Sequence, residues 1–291
     1  MAVDTTAQSL TWTYVDGDWH EGNVPIVGPR THAMWLGSSV FDGARWFEGV
    51  TPDLDRHAAR VNASAEALGL KPTMSADEIV GLTRDGLKKF DGNTAVYIRP
   101  MYWALEGDFL GVVPKLGATG FAISLEAIPM ASEEASTTLT RTQFHRPVLA
   151  DAVVNAKAGC LYPNNARMLA EARAKGFGNA LVADALGNVA ETATANVFMV
   201  RDGVVFTPVA NGTFLAGITR ARHIENLRAD GVEVVEKVLS FADFHAADEV
   251  FLSGNMMKVT PVTGFDDTVY QTGPLTRRAR ALYWDWAASQ Q

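Results

Sequence analysis

A short polar stretch divides this chain into two halves. Residues 130–138 read M-A-S-E-E-A-S-T-T, and a run of small and polar residues favours a linker. Strand-like and helix-like segments alternate on both sides of it, and 291 residues suffice for two ordinary domains. We therefore predict an α+β or α/β protein with a smaller domain at 1–129, an interdomain loop at 130–138 and a larger domain at 139–291.

Hydrophobic periodicity and turn residues predict the elements of each half. The first half has strands at 11–15, 94–103 and 120–129 and helices at 61–70 and 75–90. Ser75 followed by Glu78 predicts a capping box for the second of these helices. The second half has helices at 165–178, 218–231 and 275–287, and strands at 179–184, 195–207, 232–236 and 249–253.

Composition excludes several classes of function. The chain has 33 acidic and 25 basic residues, a net charge of −8, which disfavours nucleic acid and anionic membranes as partners. Its single cysteine, Cys160, rules out a disulfide within the chain, and the six histidines have no metal-site spacing. No apolar run approaches the roughly 20 residues of a membrane span, and the first residues lack signal-peptide character. We expect a cytoplasmic protein without a metal.

One lysine stands in an unusual setting, in N-A-K-A-G-C-L-Y-P-N-N at 155–165. Lys157 is either a surface lysine at a strand end or a reactive amine among small apolar neighbours. Lysines of the second kind form a Schiff base with pyridoxal phosphate (PLP), whose ring serves as an electron sink. In that interpretation Cys160 is a small packing residue.

A pyridoxal phosphate site needs groups for the ring as well. Glu191 is the only charged residue between Asp184 and Arg201. It is either a turn carboxylate or the anion that faces the ring nitrogen. Tyr162, five residues after Lys157, is either a packed tyrosine or the hydroxyl at the ring phenolate oxygen.

The phosphate needs donors and a cation. A helix that starts at G-I-T, residues 217–219, offers free N–H groups and a favourable dipole. The turn S-G-N at 253–255 follows a strand and offers further donors. Arg56 is either the cation of this site or a member of a surface ion pair.

The order of these residues along the chain resembles that of the fold type IV pyridoxal-phosphate enzymes, the class IV aminotransferases. Residues 32–45, H-A-M-W-L-G-S-S-V-F-D-G-A-R, are similar to H-x-x-x-Y-G-x-S-V-F-E-G-x-R of branched-chain amino acid aminotransferases. The segments L-D-R-H at 54–57, Y-I-R-P at 97–100 and A-D-E-V-F-L-S-G-N-M-M-K-V-T-P-V at 247–262 also resemble that subgroup. The resemblance extends from about residue 12 to 286.

The resemblance implies a two-domain fold type IV architecture and a role for each candidate. Lys157 would be the catalytic residue, and the cofactor would contact Arg56, Tyr162, Glu191, Gly217, Ile218, Thr219, Ser253, Gly254 and Asn255. The substrate would contact Leu36, Phe41, Arg45, Tyr97, Arg99, Val112, Glu133 and Met256. A homodimer is also implied, with a loop near 110–113 that reaches the partner's site.

The substrate is less constrained than the cofactor. A branched-chain L-amino acid paired with a 2-oxo acid such as 2-oxoglutarate is favoured by Y-I-R, with Trp103, Phe41 and Val112 as an apolar pocket. The chain departs from the subgroup at Leu36, where the family has tyrosine, and at Glu133 and Met256. The alternatives are a D-amino acid or (R)-amine transaminase, an aminodeoxychorismate lyase, or a cofactor-binding protein without turnover.

Overall fold

The computed structural model describes residues 9–290, which form two compact units. Unit 1 draws its described residues from Met1–Met130, Ala156–Cys160 and Gln290–Gln291. Unit 2 consists of Ala131–Asn155 and Leu161–Ser289. Lys157 therefore belongs to unit 1, although it follows the polar stretch at 130–138 in the chain. The domain boundaries at 129 and 139 stay a prediction.

Unit 1 is built on an antiparallel sheet. Its strands are β1 (Thr11–Val15), β2 (Asp18–Glu21), β3 (Ser39–Phe41), β4 (Ala44–Trp46), β5 (Val96–Ala104) and β6 (Thr119–Ala127). The order across the sheet is β2-β1-β6-β5-β3, and β4 also pairs with β5. The predicted strands in this half are confirmed, while the short strands β2, β3 and β4 were not predicted.

Three helices accompany this sheet: α1 (His32–Leu36), α2 (Leu54–Ala67) and α3 (Ala76–Leu87). The predicted capping box of α3 is confirmed, since the Ser75 side chain accepts from the Glu78 N–H and the Glu78 carboxylate accepts from the Ser75 N–H. The predicted start of the preceding helix at residue 61 was wrong. Helix α2 begins at Leu54 because Asp53, with φ of 54°, turns the chain into it. The first turns of α2 contain Asp55, Arg56 and Arg60, so their sequence shows no clear apolar periodicity.

Unit 2 contains a larger mixed sheet. Its strands are β7 (Thr137–Arg146), β8 (Asn179–Asp184), β9 (Val189–Thr192), β10 (Asn196–Arg201), β11 (Val204–Pro208), β12 (Val234–Lys237), β13 (Glu249–Gly254), β14 (Lys258–Phe265) and β15 (Thr268–Val269). The order is β12-β11-β10-β13-β14-β7-β8-β9, and β15 pairs with β14. The pairs β11–β12, β14–β7 and β7–β8 are parallel. The strand segment predicted at 195–207 forms the hairpin β10–β11, in which Asp202 and Gly203 adopt positive φ between the two strands.

The helices of unit 2 are α4 (Tyr162–Ala174), α5 (Ile218–Ala229), α6 (Phe241–His245) and α7 (Pro274–Ala288). A short 3-10 turn, Gly159–Leu161, precedes α4. Helix α4 thus begins earlier than predicted, with Pro163 in its first turn, where the missing N–H of proline has no helical partner to lose.

Strands β10 and β13 of unit 2 are buried on both faces. Val197 and Met199 belong to one apolar cluster, while Phe198 and Val200 belong to another. Successive residues of a strand point to opposite faces, so a continuous apolar run is what a strand covered on both sides requires. Phe198 stacks on Phe251 of β13 with ring centroids 4.8 Å apart. This aromatic core holds the ends of β10 and β13 in place, and the candidate site residues Ser253 and Gly254 lie at the end of β13.

Within residues 9–290, no helix combines the length and the apolar character that crossing a bilayer demands. The same residues contain no group of three or more histidine, cysteine or acidic side chains arranged to hold a metal ion.

Candidate active site

The segment that carries Lys157 is held against β3 in unit 1. The Phe41 N–H donates to the Lys157 carbonyl at 3.1 Å, and Val40 forms an antiparallel bridge with Ala158. The Lys157 N–H donates to Ser64 Oγ of α2 at 3.1 Å. Both backbone groups of Lys157 are therefore fixed by residues about 100 positions away in sequence. A rigid backbone at this position limits where the side-chain amine can reach.

The small neighbours of Lys157 lie in the interior. Ala156 and Ala158 are buried, while Lys157 itself is partly exposed. Its Nζ lies 4.8 Å from the centroid of the Phe41 ring, a cation–π contact. The amine of Lys157 therefore lies beside an aromatic ring, and its role stays a prediction.

A buried charged cluster lies directly after Phe41. Asp42 is fully buried, and its carboxylate contacts His57 Nδ1 at 2.7 Å and Arg60 Nε at 2.6 Å. Burial alone would raise the pKa of Asp42, but the charges and hydrogen bonds of Arg60 and His57 outweigh burial and lower that pKa well below its usual range. The cluster ties α2 to the β3–β4 connection and so supports the strand that holds Lys157.

We expect Asp42→Asn to destabilise the protein by about 3 kcal/mol, because it leaves the charged Arg60 beside a neutral amide in a buried site. The folded-state pKa of Asp42 is depressed, so the carboxylate stabilises the fold above about pH 4 and that contribution is lost as the pH falls further. Urea unfolding at pH 7, pH 4 and pH 2 measures both effects. A variant with the same pH dependence as the wild type between pH 4 and pH 2 would contradict this assignment.

Three candidate substrate residues lie together on the sheet of unit 1. Arg45 of β4 is opposite Tyr97 of β5, and the Arg99 guanidinium lies 5.0 Å from the Tyr97 ring centroid. A Cβ on Gly43 would come within 2.3 Å of Tyr97 Oη, so only glycine leaves room for that hydroxyl. Burial lowers the pKa of Arg45 to about 10, against the opposing effect of Tyr97, and its guanidinium donates to the Ile128 carbonyl. Two cations and a phenol therefore share one region.

The other apolar candidates of unit 1 differ in exposure. Leu36 ends α1 and is 38% exposed, and Val112 is 64% exposed. The Val112 carbonyl accepts from His32 Nε2 at 3.1 Å, so His32 Nδ1 accepts from the Ser38 hydroxyl at 2.6 Å. Trp103 is buried, with its ring against Gly120, and is a core residue of unit 1. An open cleft of about 490 Å³ adjoins the Val112 loop and is lined by Pro29, Arg30, His32, Trp35, Leu105, Glu106, Gly107, Asp108 and Gly111.

Two arginines of α2 face different surroundings. The Arg56 side chain is 42% exposed, and its Nε lies 3.5 Å from Asp53 Oδ1. The Arg60 side chain is 17% exposed, and its Nε and NH2 donate to the two carboxylate oxygens of Asp42. Arg60 also precedes Ser64, the partner of the Lys157 N–H, by one helical turn and therefore shares its face of α2. The cation on the Lys157 side of this helix is Arg60, which the sequence analysis did not single out.

In unit 2, Glu191 of β9 belongs to a buried polar network. Its Oε1 lies 2.9 Å from Arg146 NH2, and its Oε2 accepts from Asn196 Nδ2 at 3.3 Å. The Arg146 guanidinium also donates to Asn165 Oδ1 and to the Thr192 carbonyl. Such a network fixes the carboxylate in one orientation.

Tyr162 opens α4 in the same unit. It precedes Asn165, the partner of Arg146, by three residues, so both side chains lie on one face of the helix. The structure therefore brings Tyr162 to the side of α4 on which the network around Glu191 lies.

The predicted phosphate residues also come together in unit 2. Helix α5 begins at Ile218 after Gly217, and a Cβ on Gly217 would lie 2.1 Å from Asn196 Oδ1. Asn196 is paired with Ser253 across β10 and β13, so their side chains lie on one face of the sheet. Glycine at 217 thus lets the start of α5 approach the strand ends closely.

Two polar atoms of this turn lack a partner. Ser253 Oγ and Asn255 Nδ2 are buried and have no hydrogen-bond partner among residues 9–290. A buried donor left unsatisfied costs about 1–3 kcal/mol, so these two atoms are available to a ligand that accepts hydrogen bonds. With the free N–H groups at the start of α5, they match the donors that a phosphate needs. This part of unit 2 fits a pyridoxal phosphate group.

The remaining candidates of unit 2 lie at its surface. Glu133 is strongly exposed, with Oε1 4.0 Å from Arg280 Nε. Met256 is 41% exposed and lies in the turn after Asn255.

Four network residues escaped the sequence analysis: Asp42, Arg60, Arg146 and Asn196. A signal existed for two of them, since Asp42 stands in D-G-A-R and Arg60 follows His57 at helical spacing soon after it. Arg146 and Asn196 had none: Glu191, the partner of Arg146, lies far from it along the chain, and Asn196 contacts Glu191 and the Leu215 carbonyl across turns.

Known proteins resemble this chain over nearly its whole length. The family model Amino-transferase class IV matches residues 39–265. A branched-chain-amino-acid aminotransferase of Salmonella typhimurium is 30% identical over 295 residues, covering 96% of this chain and 93% of that protein. The crystal structure of an aminotransferase from Brucella abortus bound to PLP has a TM-score of 0.95 at 63% identity, covering 96% of this chain and 99% of that one. The branched-chain aminotransferase from Thermoproteus uzoniensis with norvaline has a TM-score of 0.88 at 26% identity, covering 97% and 96%.

Proposed function

Because this chain belongs to the class IV aminotransferases, we propose that it moves an amino group between a branched-chain L-amino acid and a 2-oxo acid such as 2-oxoglutarate. The chain is a PLP-dependent aminotransferase of fold type IV. The choice of substrates and the roles of individual residues are the proposed part.

The observation that carries the proposal is the placement of Lys157. Its backbone is fixed by β3 and α2, its neighbours Ala156 and Ala158 are buried, and its amine lies beside Phe41. A surface lysine needs none of these constraints. A lysine that must present its amine to a cofactor and then carry a proton on Nζ needs them all.

We assign the cofactor contacts as follows. Glu191, oriented by Arg146 and Asn196, provides the anion for the ring nitrogen. The ring, when bound, supplies an electron sink for the bond broken at the substrate carbon. Tyr162 provides a hydroxyl from the first turn of α4. The phosphate is held by N–H groups of Ile218 and Thr219, by the Ser253, Gly254 and Asn255 turn, and by an arginine of α2.

Arg60 rather than Arg56 is the arginine we expect at the phosphate. Arg60→Gln should raise the dissociation constant of PLP for the apoprotein about 10- to 100-fold, since a charge-assisted contact contributes about 1.5–3 kcal/mol. Arg56→Gln is the matched control on the same helix and should change it less than about twofold. Titration by fluorescence quenching measures both constants. A larger increase in the dissociation constant for Arg56→Gln than for Arg60→Gln would instead identify Arg56 as the arginine at the phosphate.

The substrate assignment rests on the chemistry of unit 1. Arg45, Tyr97 and Arg99 supply two cations and a phenol for the carboxylate groups of an amino acid or of a 2-oxo acid with two carboxylates. Phe41 and Leu36 supply apolar surface for an aliphatic side chain. The Salmonella typhimurium relative, a branched-chain-amino-acid aminotransferase, supports the same substrate class.

A half-reaction screen tests the proposal. The purified holoprotein is mixed with single L-amino acids, D-amino acids and simple primary amines, and conversion of PLP to pyridoxamine phosphate is followed by absorbance. We expect the fastest conversion with leucine, isoleucine, valine and glutamate in the L form. Faster conversion with a D-amino acid or an (R)-amine would identify the enzyme as a D-amino acid transaminase or an (R)-amine transaminase, respectively.

The quaternary state and location complete the proposal. We propose a homodimer in which the loop at 110–113 reaches the partner's site. The exposure of Phe109, Leu110 and Val113 supports it, because apolar side chains in one loop favour burial against another surface. The single cysteine supports a reducing, cytoplasmic location. Sedimentation analysis of the purified chain decides between monomer and dimer.

A further inference from the structure

The turn between β13 and β14 contains a buried lysine. Lys258 is fully buried, and its Nζ donates to Asn255 Oδ1 at 2.5 Å and lies 5.4 Å from the Tyr283 ring centroid. Burying an ammonium group costs several kcal/mol unless hydrogen bonds and opposite charge offset the cost. A lysine in this position therefore requires a reason beyond packing.

The backbone of Lys258 is also unusual. Its φ is 62°, in the left-handed region, where four of the five other non-glycine residues of the described chain are aspartates. Aspartate tolerates this region, whereas lysine is rarely found there. Strain of this kind, of order 1–3 kcal/mol, persists where the surroundings impose it and clusters at ligand sites.

Neighbouring groups hold this conformation in place. His223 Nε2 lies 3.1 Å from the Lys258 carbonyl. Burial lowers the pKa of His223 to about 4, despite the opposing effect of that hydrogen bond, and the charge of Lys258 adds to the lowering. The ring is therefore neutral at pH 7 and donates its Nε2 hydrogen to the carbonyl. Lys258 is thus anchored through its backbone as well as through its ammonium group.

The ammonium group determines which way the Asn255 amide points. Because Lys258 can only donate, the Asn255 oxygen faces it and the Nδ2 hydrogens face away. Asn255 Nδ2 is one of the two buried atoms without a partner at this turn, and Ser253 Oγ is the other. Ser253 is 1% exposed and lies on the sheet face that Asn196 shares with the start of α5. Two unsatisfied donors are therefore available where an anion is expected.

We propose that Lys258 is a positioning residue for the cofactor phosphate, which orients the Asn255 amide so that Nδ2 donates to a phosphate oxygen and adds a buried positive charge behind that contact. This inference rests on the proposed function, because it takes the turn at 253–255 as part of the phosphate site. It extends that proposal to a residue that does not contact the cofactor and that the sequence analysis did not select.

Three variants change the pair formed by Lys258 and Asn255 in different ways. Lys258→Met keeps the length of the side chain and removes both its charge and its hydrogen bond. Lys258→Gln removes the charge but keeps a donor for Asn255 Oδ1. Asn255→Asp keeps an acceptor for Lys258 and replaces the Nδ2 donor with an anionic oxygen. Lys237→Met, an exposed lysine of β12, is the matched control.

The experiment compares PLP with pyridoxal, which lacks the phosphate. Dissociation constants of both for the apoproteins are measured by fluorescence titration, and folding is checked by circular dichroism and thermal unfolding. We expect Lys258→Met and Lys258→Gln to weaken PLP binding about 10- to 100-fold and to leave pyridoxal binding within about twofold. Asn255→Asp should weaken PLP at least as much while its apoprotein unfolds at the wild-type temperature or above, since the introduced carboxylate would pair with Lys258. Lys237→Met should match the wild type.

The outcomes distinguish this inference from the proposed function. Equal weakening of PLP and pyridoxal by the Lys258 variants would overturn the inference, because it indicates general disruption of the site. The inference would also be overturned if the Lys258 variants kept the wild-type PLP affinity while Ser253→Ala and Asn255→Ala lost affinity. The turn at 253–255 would then bind the phosphate without help from Lys258. Unchanged PLP affinity in Ser253→Ala and Asn255→Ala would overturn the phosphate turn and the inference together. If Lys258→Met does not fold, Lys258→Gln and Asn255→Asp give the same test.

Discussion

Lys157→Ala is expected to lower transaminase turnover by at least about 10⁴-fold, because it removes both the amine that binds the cofactor and the group that carries the proton. The fold should survive, since the backbone groups of residue 157 make the bonds to Phe41 and Ser64 and alanine retains them. Turnover with leucine and 2-oxoglutarate, together with the visible absorbance of bound PLP, measures the effect.

A matched lysine and a chemical readout make this test specific. Lys175→Ala alters an exposed lysine that pairs with Glu171 and should retain full activity. Borohydride reduction of the wild-type holoprotein, followed by peptide mass spectrometry, should place the added pyridoxyl mass on the peptide that contains Lys157. Labelling of another lysine, or substantial turnover by the Lys157→Ala variant, would show that Lys157 is not the cofactor's lysine.

The sequence was most informative where a local pattern decides the structure. The capping box at Ser75 and Glu78 needs only four residues, and it is present as predicted. The stretch around Lys157 likewise indicated small buried neighbours, and Ala156 and Ala158 are buried. The start of α2 was missed because a left-handed Asp53 and a charged first turn carry no apolar period.

Long-range contacts account for what the sequence could not predict. Lys157 belongs to unit 1 because its backbone pairs with β3, a pairing across more than 100 residues that no local pattern encodes. Arg56 attracted attention through its motif, yet Arg60 is the arginine in contact with buried Asp42. Lys258 gave no signal, since its burial and its left-handed backbone follow from the turn it occupies. The chemistry of the cofactor was predictable, and the groups that support it were not.

Glu191→Gln separates a catalytic role for this carboxylate from a structural one. If Glu191 only balances Arg146, the substitution should lower stability and leave turnover per folded molecule unchanged. If it also faces the ring nitrogen, turnover should fall about 10²–10³-fold while PLP remains bound, because the anion that stabilises positive charge on the ring is gone. We expect the second result, since its partners Arg146 and Asn196 hold the carboxylate in one orientation.

The control for this substitution is Glu236→Gln. Glu236 pairs with the buried Arg220 at 2.9 Å in the same unit, so each of the two variants removes a carboxylate that is paired with a buried arginine. Both should unfold at lower urea concentration than the wild type, but only Glu191→Gln should slow the half-reaction with leucine. Raising the pH should slow the half-reaction of Glu191→Gln more than that of the wild type, because only the wild-type carboxylate keeps the ring nitrogen protonated. Identical half-reaction rates and pH profiles in the wild type and in Glu191→Gln would show that Glu191 has only a structural role in the network around β9.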